Sequence, residues 1–473
     1  MTEEHVETSR PGIVLAVLAL AGAAYALLQS LVVPALPVLQ HDLHTSTSGV
    51  AWVFTAYLLA ASVATPIAGR LGDLYGKKRV LVIVLAGLAL GSLLAALVNT
   101  LALMIVARTI QGLGGAIFPL AFGIVRDEFP RERVAGAIAL ISGILGIGGG
   151  LGIVLAGPIL ENLNYHWLFW IPLVVTLISM VATLFLIPES SIRAPGDVHW
   201  IGAILLSGWL VALLVAVSEA PTWGWGSPKT LGLLALAAVI AVVWVYAELR
   251  SRHPLVDMNM MRLRGVWTTN LSGFLIGFGM YSAFILIPQY VQAPKSTGYG
   301  FGSTVTEAGL FLIPTTVALL IFSPVGGRIS GAVGSKVPLV LGTCVTVVSF
   351  VILAAGGSPA SIYFAAGLLG VGIGFAFAAL ANLIVEAVRP DQTGIASGMN
   401  TLVRTIGGAI GAEVAASILA ANVLASGYPN KHGYTLTFLL CAAVLAVAVV
   451  ASLLVPGRAR STARASEPAA ATE

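Results

Sequence analysis

Three ionisable side chains stand inside long apolar stretches of the chain: Arg108, Arg404 and Glu413. A charge in hydrocarbon is costly, so residues of this kind are functional candidates by default. Glu413 lies at least eleven residues from either end of its stretch, where apolar surroundings favour the neutral, protonated carboxyl. We therefore expect Glu413 to take up and release a proton. The alternative is a structural hydrogen bond to a neighbouring helix.

Arg404 is not expected to pair with Glu413. The two residues are nine apart, and at roughly 100° per residue they lie on opposite faces of one helix. Arg404 shares its face with Gly408 and Gly411, which predicts a packing seam on that side.

A charged loop separates two apolar stretches at Gly69–Val80, with the sequence GRLGDLYGKKRV. Glycine lets a neighbouring backbone approach closely, and Gly76 suits a tight turn with positive φ. Asp73 could lie against the positive N-terminal end of another helix or pair with a base of the loop. We expect a conformational latch that forms in one state and breaks in another. Its candidate residues are Gly69, Arg70, Asp73, Gly76, Lys77, Lys78 and Arg79.

Composition identifies the class of protein. Of the 473 residues, 58% are hydrophobic and 9% are charged, whereas about a quarter of a soluble domain is charged. The prediction is an all-α polytopic membrane protein, because fourteen apolar stretches are long enough to cross a bilayer. They lie near residues 12–39, 49–68, 80–98, 100–125, 135–160, 166–187, 200–218, 231–248, 265–291, 305–326, 337–356, 360–386, 394–424 and 434–455.

The stretches group as six, two and six. We expect an N-terminal six-helix bundle at 1–187, a linker with two extra transmembrane helices at 188–264, a C-terminal six-helix bundle at 265–455, and a disordered cytoplasmic tail at 456–473. A degraded copy of the charged loop follows the second stretch of the last six, at Gly326–Val340. There Gly334 matches Gly76, and Gly331 replaces Asp73. The copy predicts two bundles in a pseudo-two-fold arrangement.

Basic residues fall mainly on one side of the predicted membrane. With fourteen spans, the loop bases on the opposite side are Lys229, Lys295 and Lys431. Short loops rich in Lys and Arg remain cytoplasmic. We therefore expect a multi-pass protein of the plasma membrane, in a bacterium the inner membrane, with both termini in the cytoplasm.

The loop Gly69–Val80 closely resembles the signature between helices 2 and 3 of the major facilitator superfamily of secondary transporters, written G-x-L-a-D-r-x-G-r-k. The two extra spans resemble the insertion of its fourteen-span drug:proton antiporter-2 family. Arg108, followed by Gln111 and Gly112, resembles an R-x-x-q-G motif whose arginine is linked to proton coupling. The alternative for Arg108 is that it neutralises backbone carbonyls or holds neighbouring helices.

Two positions depart from the family pattern. The fifth span resembles the antiporter motif g-x-x-x-G-P-x-x-G-G through the packing glycines Gly148, Gly152 and Gly157, but Ile153 replaces its proline. In the first span Leu28 occupies the usual acid position, and the neighbouring Gln29 cannot carry a proton. A proton-driven mechanism would therefore need its titrating group elsewhere.

The resemblance implies that spans one, four, nine and twelve line a substrate cavity. An apolar, aromatic cavity with few polar groups suits an amphipathic or lipophilic molecule. The alternative for these side chains is helix packing or lipid contact. The candidates are Gln29, Gln111, Asn270, Phe274, Phe278, Tyr281, Phe377 and Asn382.

Other classes of function find little support. Cys344 and Cys441 lie far apart in apolar stretches, which indicates neither a disulfide framework nor a metal cluster. A phosphate-binding Gly-x-x-x-x-Gly-Lys string is missing from the sequence. We expect no enzyme, no cofactor, no metal and no nucleic acid partner.

The resemblance implies a monomeric secondary transporter in the lipid bilayer that exports lipophilic or antibiotic-like molecules, with the proton as coupling ion. One alternative is a metabolite exporter or uncoupled facilitator of the same fold. Another is a transport-inactive sensor or scaffold.

Overall fold

The structure is a computed structural model that describes residues 11–45, 47–190, 193, 197, 199–424 and 428–457. The predicted tail from 458 onward lies outside the described residues. Within them the chain is helical, and no strand is present beyond one isolated bridge between Val423 and Pro429. Its fourteen long helices are α1 (Pro11–Leu31), α2 (Thr47–Tyr75), α3 (Lys77–Leu97), α4 (Leu101–Glu128), α5 (Arg131–Asn162), α6 (Trp167–Leu186), α7 (Trp200–Trp223), α8 (Pro228–Arg250), α9 (Arg264–Gln292), α10 (Ile313–Val333), α11 (Lys336–Ala355), α12 (Pro359–Ala387), α13 (Thr393–Ala421) and α14 (Lys431–Leu454).

Each predicted span corresponds to one of these helices. In the part of the chain that the structure describes, thirteen helices have the length and apolar composition of a membrane span. The remaining long helix, α5, has 32 residues and packs against both α1 and α10. Large apolar side chains on the outer helices, such as Phe185 on α6 and Val242 on α8, are exposed. Exposed apolar side chains of this kind suit contact with lipid.

The internal repeat is visible in the backbone. α2 and α3 are separated by Gly76, with φ 111° and ψ 129°. α10 and α11 are separated by Gly334, with φ 95° and ψ 151°. A residue with a side chain rarely adopts this backbone conformation, so both bundles use a glycine at the corresponding turn.

Prolines and glycines interrupt three of the spans. α1 ends at Leu31, and a turn containing Pro34 leads to a short helix, Leu36–Asp42. The prediction of one continuous stretch to residue 39 is wrong at this point, because proline lacks the N–H that a helix interior needs. Within α4, residues Gly112–Ala116 form a 3₁₀ turn. α10 follows a separate short helix, Val305–Leu310.

Two apolar cores correspond to the two sets of six helices. One contains buried residues from α1 to α6 together with Ala381 and Val385 of α12, and the other contains residues from α9 to α14. The extra helices α7 and α8 pack on each other, and α7 also contacts α2 and α13. The chain is therefore two six-helix bundles with an extra helix pair. We keep 187, 264 and 455 as proposed domain boundaries.

Candidate functional site

Asp73 at the end of α2 joins the two bundles. Its Oδ1 accepts a hydrogen bond from the backbone N–H of Gly394 at 3.1 Å, and its Oδ2 accepts one from Ile395 at 3.0 Å. Both donors belong to the first turn of α13, where backbone N–H groups lack partners within the helix. A carboxylate at a helix N-terminus is also favoured by the helix dipole. Asp73 is fully buried there.

The glycines around Asp73 permit this close approach. A Cβ on Gly69 would collide with the carbonyl group of Gly394 in the other bundle, and a Cβ on Gly72 would collide with Leu120. A Cβ on Gly76 would collide with the carboxylate of Glu189. Small residues at these positions therefore keep the end of α2 in contact with α13 and α4.

Lys77 is the buried cation of this cluster. Its Nζ lies 2.8 Å from Asp127 Oδ2 and 3.8 Å from Asp73 Oδ1, and its side chain is fully buried. The hydroxyl of Ser190 donates a second hydrogen bond to Asp127 Oδ2. Glu189 accepts hydrogen bonds from the N–H groups of Lys78 and Arg79 at the start of α3. The exposed Arg79 side chain adds a salt bridge to Glu189 at 3.5 Å.

Arg126 at the end of α4 makes a second connection between the bundles. It donates to the carbonyl of Val388 at 2.9 Å and to the hydroxyl of Thr393 at 2.7 Å. Nearby, the Nδ2 of Asn382 donates to the carbonyl of Ala135 at 3.2 Å. Asn382, a candidate for the cavity wall, therefore lies in the contact between α12 and α5. The molecule is closed at the end that carries Asp73.

The opposite end also has a contact between the bundles. Thr306, in the short helix before α10, donates to Oε1 of Glu161 on α5 at 3.0 Å. The packing glycines of α5 allow close neighbours along its length. A Cβ on Gly148 would collide with Ala26, one on Gly152 with Ser30, and one on Gly157 with Thr306.

Arg108 lies fully buried inside the first bundle. Its Nε donates to the carbonyl of Val53 at 3.0 Å, its Nη1 donates to Oε1 of Gln111 at 2.7 Å, and its guanidinium lies 4.1 Å from the centre of the Tyr57 ring. Gln111 in turn donates to the hydroxyl of Ser92 at 3.2 Å. These contacts occupy Gln111 inside the bundle, away from the cavities described next.

Two narrow cavities lie between the bundles, and Phe118, Thr401 and Arg404 line both of them. Each would hold roughly one or two water molecules. Three of the substrate candidates contribute to the walls: Gln29 and Tyr281 in one cavity and Phe377 in the other. Both cavities lie between bundles that are in contact at each end of the molecule.

The remaining candidates of α9 serve helix packing. Asn270 accepts a hydrogen bond from Nδ2 of Asn400 at 2.9 Å. The backbones of Phe274 and Phe278 lie where Cβ atoms on Gly407 and Gly411 would be, so α9 and α13 are in close contact.

Glu413 lies on α13 and is partly exposed. Glu413 is not one of the described residues that line the two cavities. The helix α7, which carries a second carboxyl at Glu219, packs against α13. One turn further along α13, Ser417 accepts a hydrogen bond from Nε1 of Trp225 at 2.7 Å. The extra helix pair therefore covers this part of α13.

Sequence reasoning missed several partners of these residues. Asp127 and Glu189 are separated from Lys77 and Lys78 by 50 and 111 residues, and no local pattern links them. The packing seam predicted on the face of Arg404 is present, since Gly408 and Gly411 lie against α9. The sequence did not predict that the Arg404 side chain also lines the cavities.

The model of the Major Facilitator Superfamily matches residues 18–412 and again 269–472. The chain belongs to the Major Facilitator Superfamily. Members of this superfamily are membrane transporters rather than enzymes, and they bind small molecules within the bilayer. The chain is therefore a multi-pass membrane transporter with the superfamily's two-bundle architecture, as its signature loop predicted.

Named relatives within the superfamily cover most of the chain. It is 30% identical over 429 residues to the tetracenomycin C resistance and export protein of Streptomyces glaucescens, and the alignment covers 89% of this chain and 78% of that protein. It is 29% identical over 400 residues to the multidrug resistance protein Stp of Mycobacterium tuberculosis, with 84% of this chain and 73% of that protein covered. It is 29% identical over 373 residues to multidrug resistance protein 3 of Bacillus subtilis, and this alignment covers 77% of this chain and 71% of that protein.

A solved superfamily structure has the same fold. The crystal structure of the human organic anion transporter MFSD10 superposes with a TM-score of 0.64, covering 92% of this chain and 99% of that one at 18% identity.

Proposed function

We propose that this transporter exports small lipophilic or antibiotic-like molecules in exchange for protons, by alternating access between its two bundles. The observation that carries the proposal is the contact of Asp73 with the N-terminus of α13. This contact joins the two bundles, and the cavities between them are lined by aromatic rings and hydroxyls. The names of the relatives, which are resistance and export proteins, support the direction and the class of substrate.

The latch would work as a gate. By the distribution of basic residues, the end that carries Asp73 faces the cytoplasm and both termini lie on that side. Opening toward the cytoplasm requires Asp73 to leave the first turn of α13, which exposes two backbone N–H groups and a buried carboxylate. Closing restores these hydrogen bonds. The gate would therefore have two discrete states, as alternating access demands.

Proton exchange would use Glu413. The usual acid position of the first span holds Leu28, which is buried and apolar. Glu413 lies in a membrane-spanning helix with a second carboxyl, Glu219, nearby. Release of a proton from Glu413 on one side of the membrane and its uptake on the other would supply the coupling.

Purified protein in liposomes with an imposed pH gradient tests the proposal. Tetracenomycin C and the acidic aromatic antibiotic novobiocin serve as probes, and proton movement is followed with a pH-sensitive dye inside the vesicles. We expect probe addition to release protons through the parent protein and not through Glu413→Gln. The matched control is Glu132→Gln, because Glu132 is exposed at the start of α5.

Other outcomes identify the alternatives. Probe transport without proton movement would indicate an uncoupled facilitator. Proton release that is unchanged in Glu413→Gln would assign the coupling to another acid. If neither probe moves and no proton flux appears, export of such molecules is refuted.

A further inference from the structure

Arg404 presents an unpaired positive charge between the two bundles. Its side chain is 8% exposed, and its guanidinium lies 4.4 Å from the centre of the Phe377 ring. Among the described residues, none accepts a hydrogen bond from its side chain or forms a salt bridge with it. Arg108 differs, because its guanidinium donates to the carbonyl of Val53 and to Gln111.

The cavity walls offer Arg404 no counter-charge. In the part of the chain that the structure describes, the residues lining the two cavities include neither Asp nor Glu, and Arg404 is their one fully charged member. Arg108 adds a second positive charge nearby, since its guanidinium lies 4.1 Å from the centre of the Tyr57 ring, which stacks on Tyr25 in the wall of one cavity. Glu413, nine residues further along α13, does not line either cavity. Among the described residues, the charge carried by the cavity walls is therefore positive.

An unpaired buried charge is costly unless a ligand supplies the opposite charge. A guanidinium presents a planar fork of N–H donors that fits a carboxylate. The surrounding walls supply aromatic faces from Phe118, Phe377 and Tyr281, with the hydroxyl of Thr401 beside them. Once the bundles separate and these narrow cavities widen, the combination suits an aromatic molecule that carries one acidic group.

We propose that Arg404 binds the acidic group of the cargo, and that the transported molecules are aromatic organic anions. The inference rests on the proposed function, because it takes the space between the bundles as the cargo site. It goes beyond that function in naming the charge of the cargo and the residue that selects it. Lipophilic cations of the same shape would be disfavoured by the same guanidinium.

Three probes with one ring system test the charge preference: 2-naphthoate, the neutral 2-naphthamide and the cationic 2-naphthylmethylammonium. Binding is measured by equilibrium dialysis against the full chain in nanodiscs of zwitterionic lipid, with empty nanodiscs subtracted. A hydrogen-bonded ion pair that replaces a neutral contact changes affinity by about tenfold or more. We therefore expect the parent protein to bind naphthoate at least tenfold more tightly than the amide, and the cation least tightly.

Substitutions assign the preference to one side chain. Arg404→Gln should bind naphthoate and the amide equally, with the amide affinity close to that of the parent. Arg404→Lys should keep part of the preference, since the charge remains without the planar fork. The control Arg262→Gln removes an exposed arginine outside the spans and should bind like the parent.

Two results would overturn the inference. One is a parent protein that binds the three probes equally or binds none of them; this readout stands even if Arg404→Gln does not fold. The other is a naphthoate preference that survives in folded Arg404→Gln.

Transport in liposomes separates this inference from the proposed function. Export without a preference for the anion refutes the role of Arg404 alone, whereas tight naphthoate binding through Arg404 without any export refutes export alone.

Discussion

The carboxylate of Asp73 and the backbone N–H of Gly394 are joined by a 3.1 Å hydrogen bond across 321 residues of sequence. The bond links the last turn of α2 in one bundle to the first turn of α13 in the other. Because the same carboxylate also accepts from Ile395, one side chain satisfies two N–H groups that the helix itself leaves without partners. The following predictions start from this contact and its surroundings.

Asp73→Asn should slow transport more than it weakens binding. The amide keeps one acceptor oxygen but loses the charge and one acceptor, so the closed gate loses stability while the cavity walls stay intact. Hydrogen bonds to charged groups are worth about 1.5–3 kcal/mol, which corresponds to a tenfold or greater fall in turnover. Turnover in liposomes and equilibrium binding in nanodiscs are measured on the same preparation. A variant that binds poorly and cycles normally would contradict the gating role.

Gly69→Ala should hold the gate open. Its Cβ would collide with the carbonyl of Gly394, so α2 and α13 would separate at this end. Reaction of a thiol reagent with a cysteine at Ser397, a half-turn inside the contact, should become faster than in the parent background. The control Gly232→Ala lies on α8, where an added Cβ meets no atom within 4 Å. Equal labelling rates for both variants would mean that the contact does not close the gate.

Lys77→Met should destabilise the fold strongly. It would leave Asp127 with one positive partner fewer in a buried site, and breaking a buried ion pair from one side costs on the order of 3–5 kcal/mol. We expect a lower melting temperature in detergent, with partial recovery in the double variant Lys77→Met, Asp127→Asn. The neighbouring Lys78→Met is a matched control, since Lys78 contributes its backbone N–H to Glu189. A melting temperature unchanged by Lys77→Met would mean that the buried ion pair does not stabilise the fold.

Cysteine labelling in intact cells tests the orientation of the spans. In a Cys344→Ser background, Arg262→Cys should react with a membrane-impermeant maleimide only after the cells are opened. Lys431→Cys, at the start of α14, should react from outside. Both positions are exposed in the structure, so access depends on the side of the membrane. Reaction of Arg262→Cys from outside would reverse the predicted topology and place the gate on the other face.

Much of the fold is predictable from the sequence because membrane spans are recognisable by their length and apolar composition. The glycines at 76 and 334 predict the repeated turn, since both positions need positive φ. The interruption of the first span was missed, although Pro34 was its signal. Glycines 112, 114 and 115 similarly mark the 3₁₀ turn in α4.

The site is harder to predict because its contacts join distant parts of the chain. The contact of Asp73 with the N-terminus of another helix was predictable from a local pattern. Its partner Gly394 carries no local signal, and neither does Arg126, which donates to α12 and α13. Arg404 was visible as a charge inside an apolar span. The direction of its side chain depends on how α9 and α13 pack, which no single-helix pattern contains.

α13 begins at the residues that hold Asp73 and carries Arg404 ten residues later, a distance of about 15 Å along a helix axis. One continuous helix thus connects the proposed gate with the positive charge that faces the proposed cargo space. A tilt of α13 that frees its first turn from Asp73 would also move the guanidinium of Arg404. Binding of an anion at Arg404 and opening of the Asp73 contact would then be coupled by the movement of one helix, without a chain of intermediate side chains.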